Sequence, residues 1–119
     1  MSRLRSSLLA VTLIAGAISF TALLPNIAIA QCAVADQCSP ATCRLRHNAV
    51  HPTCDQSRSC ANIPANNKVE LRRRLAINEQ CLRARLDVSA CFSDSDPGHD
   101  EAIQSVENAI ARCQIKINQ

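Results

Sequence analysis

Residues 91–102 read Cys-Phe-Ser-Asp-Ser-Asp-Pro-Gly-His-Asp-Glu-Ala, and they crowd Asp94, Asp96, Asp100 and Glu101 around His99 between two hydrophobic runs. Carboxylates within reach of an imidazole orient it and favour its cationic form, the arrangement of a general acid or base in hydrolysis or phosphoryl chemistry. Helix-start chemistry accounts for part of the segment. Asp96 suits an N-cap, Pro97 the first helical position, and the acids the positive end of a helix dipole. It does not require Asp94 or His99, and Gly98 weakens a first turn.

Two metal readings compete with acid–base chemistry. Asp94-Ser95-Asp96 opens like a calcium loop, but Gly98, His99 and Ser105 stand where an EF-hand needs an oxygen ligand, a glycine and a glutamate. What survives is a looser divalent-cation site made of Asp94, Asp96 and Asp100. His47 and His51 form an HxxxH pair that could hold zinc, with His99 as a third ligand if the amino-terminal helix packs over the turn. Neither reading is preferred, so no cofactor is expected and a divalent cation is kept as an option.

The charges divide along the chain. Residues 44–85 hold nine Lys or Arg against three acids, whereas residues 86–111 hold six acids and no Lys or Arg. A basic helix surface is therefore assured, and against phosphates it would supply salt-dependent, sequence-blind affinity. With no Trp or Tyr and only Phe20 and Phe92 as aromatics, base stacking is nearly absent and backbone gripping is the mode this composition supports.

The elements that position these residues begin after an export signal. Residues 1–30 carry Arg3 and Arg5, an apolar stretch from Leu8, Pro25-Asn26 and a small-x-small end at Ala28-Ile29-Ala30, the layout of a signal peptide cleaved before Gln31. Retention as a membrane anchor is the alternative; after cleavage no stable membrane association is expected. Residues 31–119 then form a single small domain, secreted or periplasmic. All eight cysteines lie in it: Cys32, Cys38, Cys43, Cys54, Cys60, Cys81, Cys91 and Cys113. An even count in a short exported chain indicates four disulfides, and the lack of any CxxC pair argues against cysteine-bound zinc.

The expected fold is all-α and disulfide-rich. Residues 31–66 form a cysteine-rich cover, with a short helix capped by Ser39 and ending at His51-Pro52, followed by a loop held by Cys54 and Cys60. Residues 67–92 form a helix of about seven turns with an Asn67–Glu70 capping box and leucines at 71, 75, 82 and 86. Residues 93–96 are the acidic loop. Residues 97–117 form a second helix with the stripe Ile103, Val106, Ile110, Cys113 and Ile117. The two long helices make an antiparallel hairpin. Cys81 and Cys91 lie about 15 Å apart on one helix, too far to bridge. Cys81 and Cys113 sit at comparable distances from the turn and are expected to face each other. The remaining count requires a bridge from the amino-terminal part to the hairpin, with Cys91 the candidate.

Asn78-Glu79-Gln80-Cys81-Leu82-Arg83-Ala84-Arg85, Cys91-Phe92, Asp96-Pro97-Gly98-His99, Ala102-Ile103 and Cys113 together resemble a cysteine-rich helical domain among the "novel toxin" families of bacterial polymorphic, Rhs-type toxins. The resemblance spans residues 78–113. It implies a nuclease, chiefly a ribonuclease, neutralised by a cognate immunity protein, with His99 and Asp96 as catalytic residues and Arg83 and Arg85 at the substrate. The sequence departs from the family in having Ser93-Asp94-Ser95 where glycines are usual, and in carrying its own signal without a large carrier. The leading expectation is thus an exported toxin-like ribonuclease; the alternative is a non-enzymatic binding protein on the same scaffold, and a lipid carrier is weaker still.

Overall fold

The computed structural model describes residues 27–94 and 96–119; most of the expected signal peptide, and Ser95, lie outside the described residues. The element order is α1 (Ile27–Cys32), α2 (Pro40–Cys54), α3 (Lys68–Ser89) and α4 (Pro97–Ile117), with no strand among the described residues. The fold is the expected all-α, disulfide-rich domain built on a long helical hairpin. α4 and α2 both pack against α3, and α1 packs on α2.

Local chemistry sets the helix ends. Ser39 Oγ accepts from Thr42 N–H at 3.1 Å, and Pro40 opens α2 without wasting a donor. Asn67 Oδ1 accepts from Glu70 N–H at 3.2 Å. The expected capping box is only half made, because the Glu70 carboxylate turns to Arg73 and Arg74 instead. Asp96 caps α4. At the far end of α4, Lys68 Nζ donates to the carbonyls of Lys116 and Ile117, meeting the negative end of the helix dipole.

Two boundaries differ from expectation. α2 does not stop at His51-Pro52 but carries Pro52 inside its last turn. Proline removes one helical donor there, while Thr53 Oγ1 on the Ala49 carbonyl, Gln56 Nε2 on the Pro52 carbonyl and the bridge at Cys54 hold the turn closed. α3 ends at Ser89, about six turns long, rather than at 92. Cys91 and Phe92 instead donate to the Val88 and Ser89 carbonyls in a tightened turn that aims Cys91 at Cys38.

The core is thin and arranged around sulfur. Cys32, Cys43 and Cys91 gather with Phe92; Cys54 and Cys81 with Val106; Cys60 and Cys113 with Leu71. Disulfides here take the place of large apolar side chains that so short a chain does not supply. Val106 and Cys113 are fully buried as the α4 stripe requires, and Leu71 is too; Leu86, expected in the α3 stripe, is exposed, and Ile77 and Val88 are buried instead.

The four bridges are Cys32–Cys43, Cys38–Cys91, Cys54–Cys81 and Cys60–Cys113. Cys91 does tie the amino-terminal part to the turn. The expected Cys81–Cys113 bridge does not form, and Cys54 and Cys60 each reach the hairpin separately rather than jointly closing the loop between them. Register is the reason: Cys81 packs at the level of Val106, whereas Cys113 lies beside Asn78, a turn further from the loop. An all-α chain with four closed bridges suits an oxidising compartment, extracellular or periplasmic. Among the described residues no helix is long and apolar enough to cross a membrane.

Candidate functional site

The acidic turn is strapped from outside. Asp36 and Gln37 N–H groups donate to the Cys91 carbonyl at 3.1 and 3.0 Å, beside the Cys38–Cys91 bridge. Asp36 in return accepts from the backbone N–H of Ser93 at 2.8 Å and from the Ser93 hydroxyl. These bonds, the hydroxyl first, hold the Asp36 carboxyl below its usual range. The strap walls an open pocket of about 360 Å³, lined by Val34, Asp36, Phe92, Asp94, Asp96 and His99 among others.

His99 sits within the first turn of α4, half-buried, its ring tilted 43° against Phe92 with centroids 5.3 Å apart. Asp96, expected to orient it, instead accepts through Oδ1 from Gly98 N–H at 2.7 Å. Among the described residues no hydrogen bond joins Asp96 to His99, because an N-cap side chain folds back onto its own helix. Gly98 belongs to the same cap: a Cβ there would lie 3.2 Å from Asp96 Oδ1.

His99 also faces inward. On its other side lies a cavity of about 40 Å³, lined by His47 and Val50 of α2, Arg85 and Val88 of α3, and His99 and Ala102 of α4. Arg85 is half-buried, and its Nε is enclosed without a hydrogen-bond partner. Burial first, and the Arg58 charge second, lower its pKa against the opposing pull of Asp55, yet a guanidinium keeps its charge in proteins. Arg83 does not join it. Two residues away is about 200° around a helix, and Arg83 lines the opposite groove between α2 and α3, with Arg46, Gln80 and Asp87.

The sequence offers His47 only as a zinc ligand. Its Nε2 lies 2.9 Å from Gln31 Oε1, and its pKa is lowered, first by burial and then by the charges of His99, His51 and Arg85. His51 turns to the surface and pairs with Asp55 at 3.0 Å, so the HxxxH pair splits between inside and outside. Among the described residues one group of three or more metal-type ligands converges, Cys38, Cys43 and Cys91, and all three sulfurs are in disulfides. Neither Asp94, Asp96 and Asp100 nor the three histidines gather in that way.

A signal for this arrangement does exist in the sequence. Cys43, His47, Val50 and Cys54 step by four, three and four, as do Cys81, Arg85 and Val88 by four and three. Each polar residue interrupts the inward stripe of its own helix. Compared with protein-family models, with curated proteins and with solved structures, the chain finds no match.

Proposed function

We propose that this chain is an exported, toxin-like nuclease that cleaves RNA, with His99 transferring the proton and Arg85 holding the phosphate. The observation that supports it best is the meeting of His99 and Arg85, from two antiparallel helices, on one half-open cavity. Arg85 and His99 line the same cavity, so a guanidinium can hold a phosphate oxygen at its mouth while the imidazole moves a proton at the same phosphorus centre. The outer pocket suits one unstacked base: Phe92 and His99 offer ring faces, and Asp94 and Asp96 can accept from base amino groups. Those same acids repel phosphates, so the backbone runs on the Arg85 side of His99. The resemblance over residues 78–113 adds the toxin role, and with it an immunity protein as partner.

The test is cleavage of RNA and DNA by the oxidised protein, with Mg²⁺, Ca²⁺ or EDTA, beside His99→Ala. The expected result is RNA cleavage that His99→Ala lowers by about 10²–10⁴-fold. Absence of cleavage under every condition would sink the nuclease reading and favour the binding protein, whose partner would then meet the acid-lined pocket.

A further inference from the structure

We propose that His47 is the second imidazole of an acid–base pair with His99, and that the pair catalyses metal-independent cleavage of RNA through the substrate's own 2′-hydroxyl. The inference rests on the nuclease reading above and assigns it a mechanism. His47 comes from α2, a helix held to the rest of the fold by Cys32–Cys43 near one end and Cys54–Cys81 at the other. It faces the cavity that holds Arg85 and His99.

Its tautomer is set by Gln31. An amide oxygen carries only lone pairs, so Nε2 of His47 donates to Gln31 Oε1 at 2.9 Å, which leaves the lone pair of the neutral ring on Nδ1. That atom is the base. Arg85 from α3 and His99 from α4 share the cavity with the ring, and Gln31 from α1 bonds it; burial first, then the charges of His99, the outward-turned His51 and Arg85, lower its pKa against a hydrogen bond to the His47 backbone. His99 also lines the open outer pocket, on the side away from Arg85. It is the acid.

The step balances without a co-reactant. The 2′-hydroxyl loses its proton to His47 Nδ1 as its oxygen bonds to phosphorus; the bond from phosphorus to O5′ breaks, and the leaving oxygen takes a proton from His99. Arg85 donates to a non-bridging oxygen as charge builds there. The products are a 2′,3′-cyclic phosphate and a 5′-hydroxyl, and proton exchange with water resets both rings.

The experiment uses the oxidised protein on an RNA oligonucleotide and on the same oligonucleotide with 2′-deoxy sugars, both in EDTA, with products identified by mass spectrometry. Expected are cyclic-phosphate ends and uncut 2′-deoxy substrate. For His47→Ala, the expectation is a rate about 10²–10⁴-fold lower, partly restored by added imidazole, and a pH profile that has lost its acidic limb. Should His47→Ala fail to form four disulfides, the 2′-deoxy arm decides on the wild-type protein alone. Cleavage of the 2′-deoxy substrate, ends other than cyclic phosphate, or a folded His47→Ala at wild-type rate overturns the pair while leaving a His99-dependent nuclease standing. No RNA cleavage at all overturns both.

Discussion

Asn78 is the one fully buried polar side chain among the described residues, and replacing it should unfasten the loop between α2 and α3. Its Nδ2 donates to the Arg58 carbonyl at 2.8 Å and to the Arg74 carbonyl at 3.0 Å, and its Oδ1 accepts from Arg58 Nη1 at 2.9 Å. Two neutral bonds at about 1 kcal/mol each and one charge-assisted bond at about 2 kcal/mol give a gross contribution of about 4 kcal/mol. Alanine returns about 0.7 kcal/mol through better helix propensity, so Asn78→Ala is expected to cost about 3 kcal/mol net. The assay is guanidinium unfolding with all disulfides intact, where the midpoint should fall at unchanged slope. Asn78→Asp is the sharper variant. It keeps the size and the Arg58 contact but loses both amide donors and turns an anionic oxygen towards two carbonyls, so it should be no more stable than alanine. A double-mutant cycle with Arg58→Ala should return a coupling of about 1.5–3 kcal/mol. A loss for Asn78→Ala below about 1 kcal/mol would refute the reasoning, because surface substitutions reach that range without any buried network.

The bridges should rank by the loops they close. Replacing both cysteines of Cys38–Cys91, separated by 53 residues, is expected to cost about 4 kcal/mol, against about 3 kcal/mol for Cys32–Cys43, separated by 11, and denaturation of the two Ser pairs checks the order. Arg73 and Arg74 hold the Glu70 carboxyl down to about 2. A depressed carboxylate stabilises above its unfolded value near 4.5, so this contribution should be lost as pH falls from there through about 2; an acid titration of stability should flatten in that window for Glu70→Gln, and salt should weaken the difference. Arg85→Lys keeps a charge but loses the planar guanidinium fork and should slow RNA cleavage by about 10²-fold, whereas Arg83→Lys, facing the other groove, should leave the rate within a factor of about two.

Much of the scaffold was legible because its signals are local. Ser39-Pro40, Asn67 and Asp96-Pro97 announce three helix starts within three residues each, and α4 begins and ends where periodicity and capping place it. Pro52 misled for the same reason: a residue-level rule says a helix ends there, while the bridge from Cys54 to Cys81, distant in sequence, keeps the last turn wound. Gly98, unexplained by helix propensity, is accounted for by the approach of Asp96 Oδ1 to its own backbone, a contact that only coordinates reveal.

By itself the sequence determined that this chain is helical, bridged four times and turned back on itself at an acidic loop, since capping, period and cysteine count act over a few residues. Tertiary structure alone decided which cysteines meet and which side chains share a cavity. The hairpin register sets Cys113 beside Asn78 rather than Cys81, and α2 packed along α3 brings His47 to the cavity that Arg85 and His99 line. Both depend on how three helices slide and rotate against one another, a choice made by packing across the whole core and written in no single stretch of the chain.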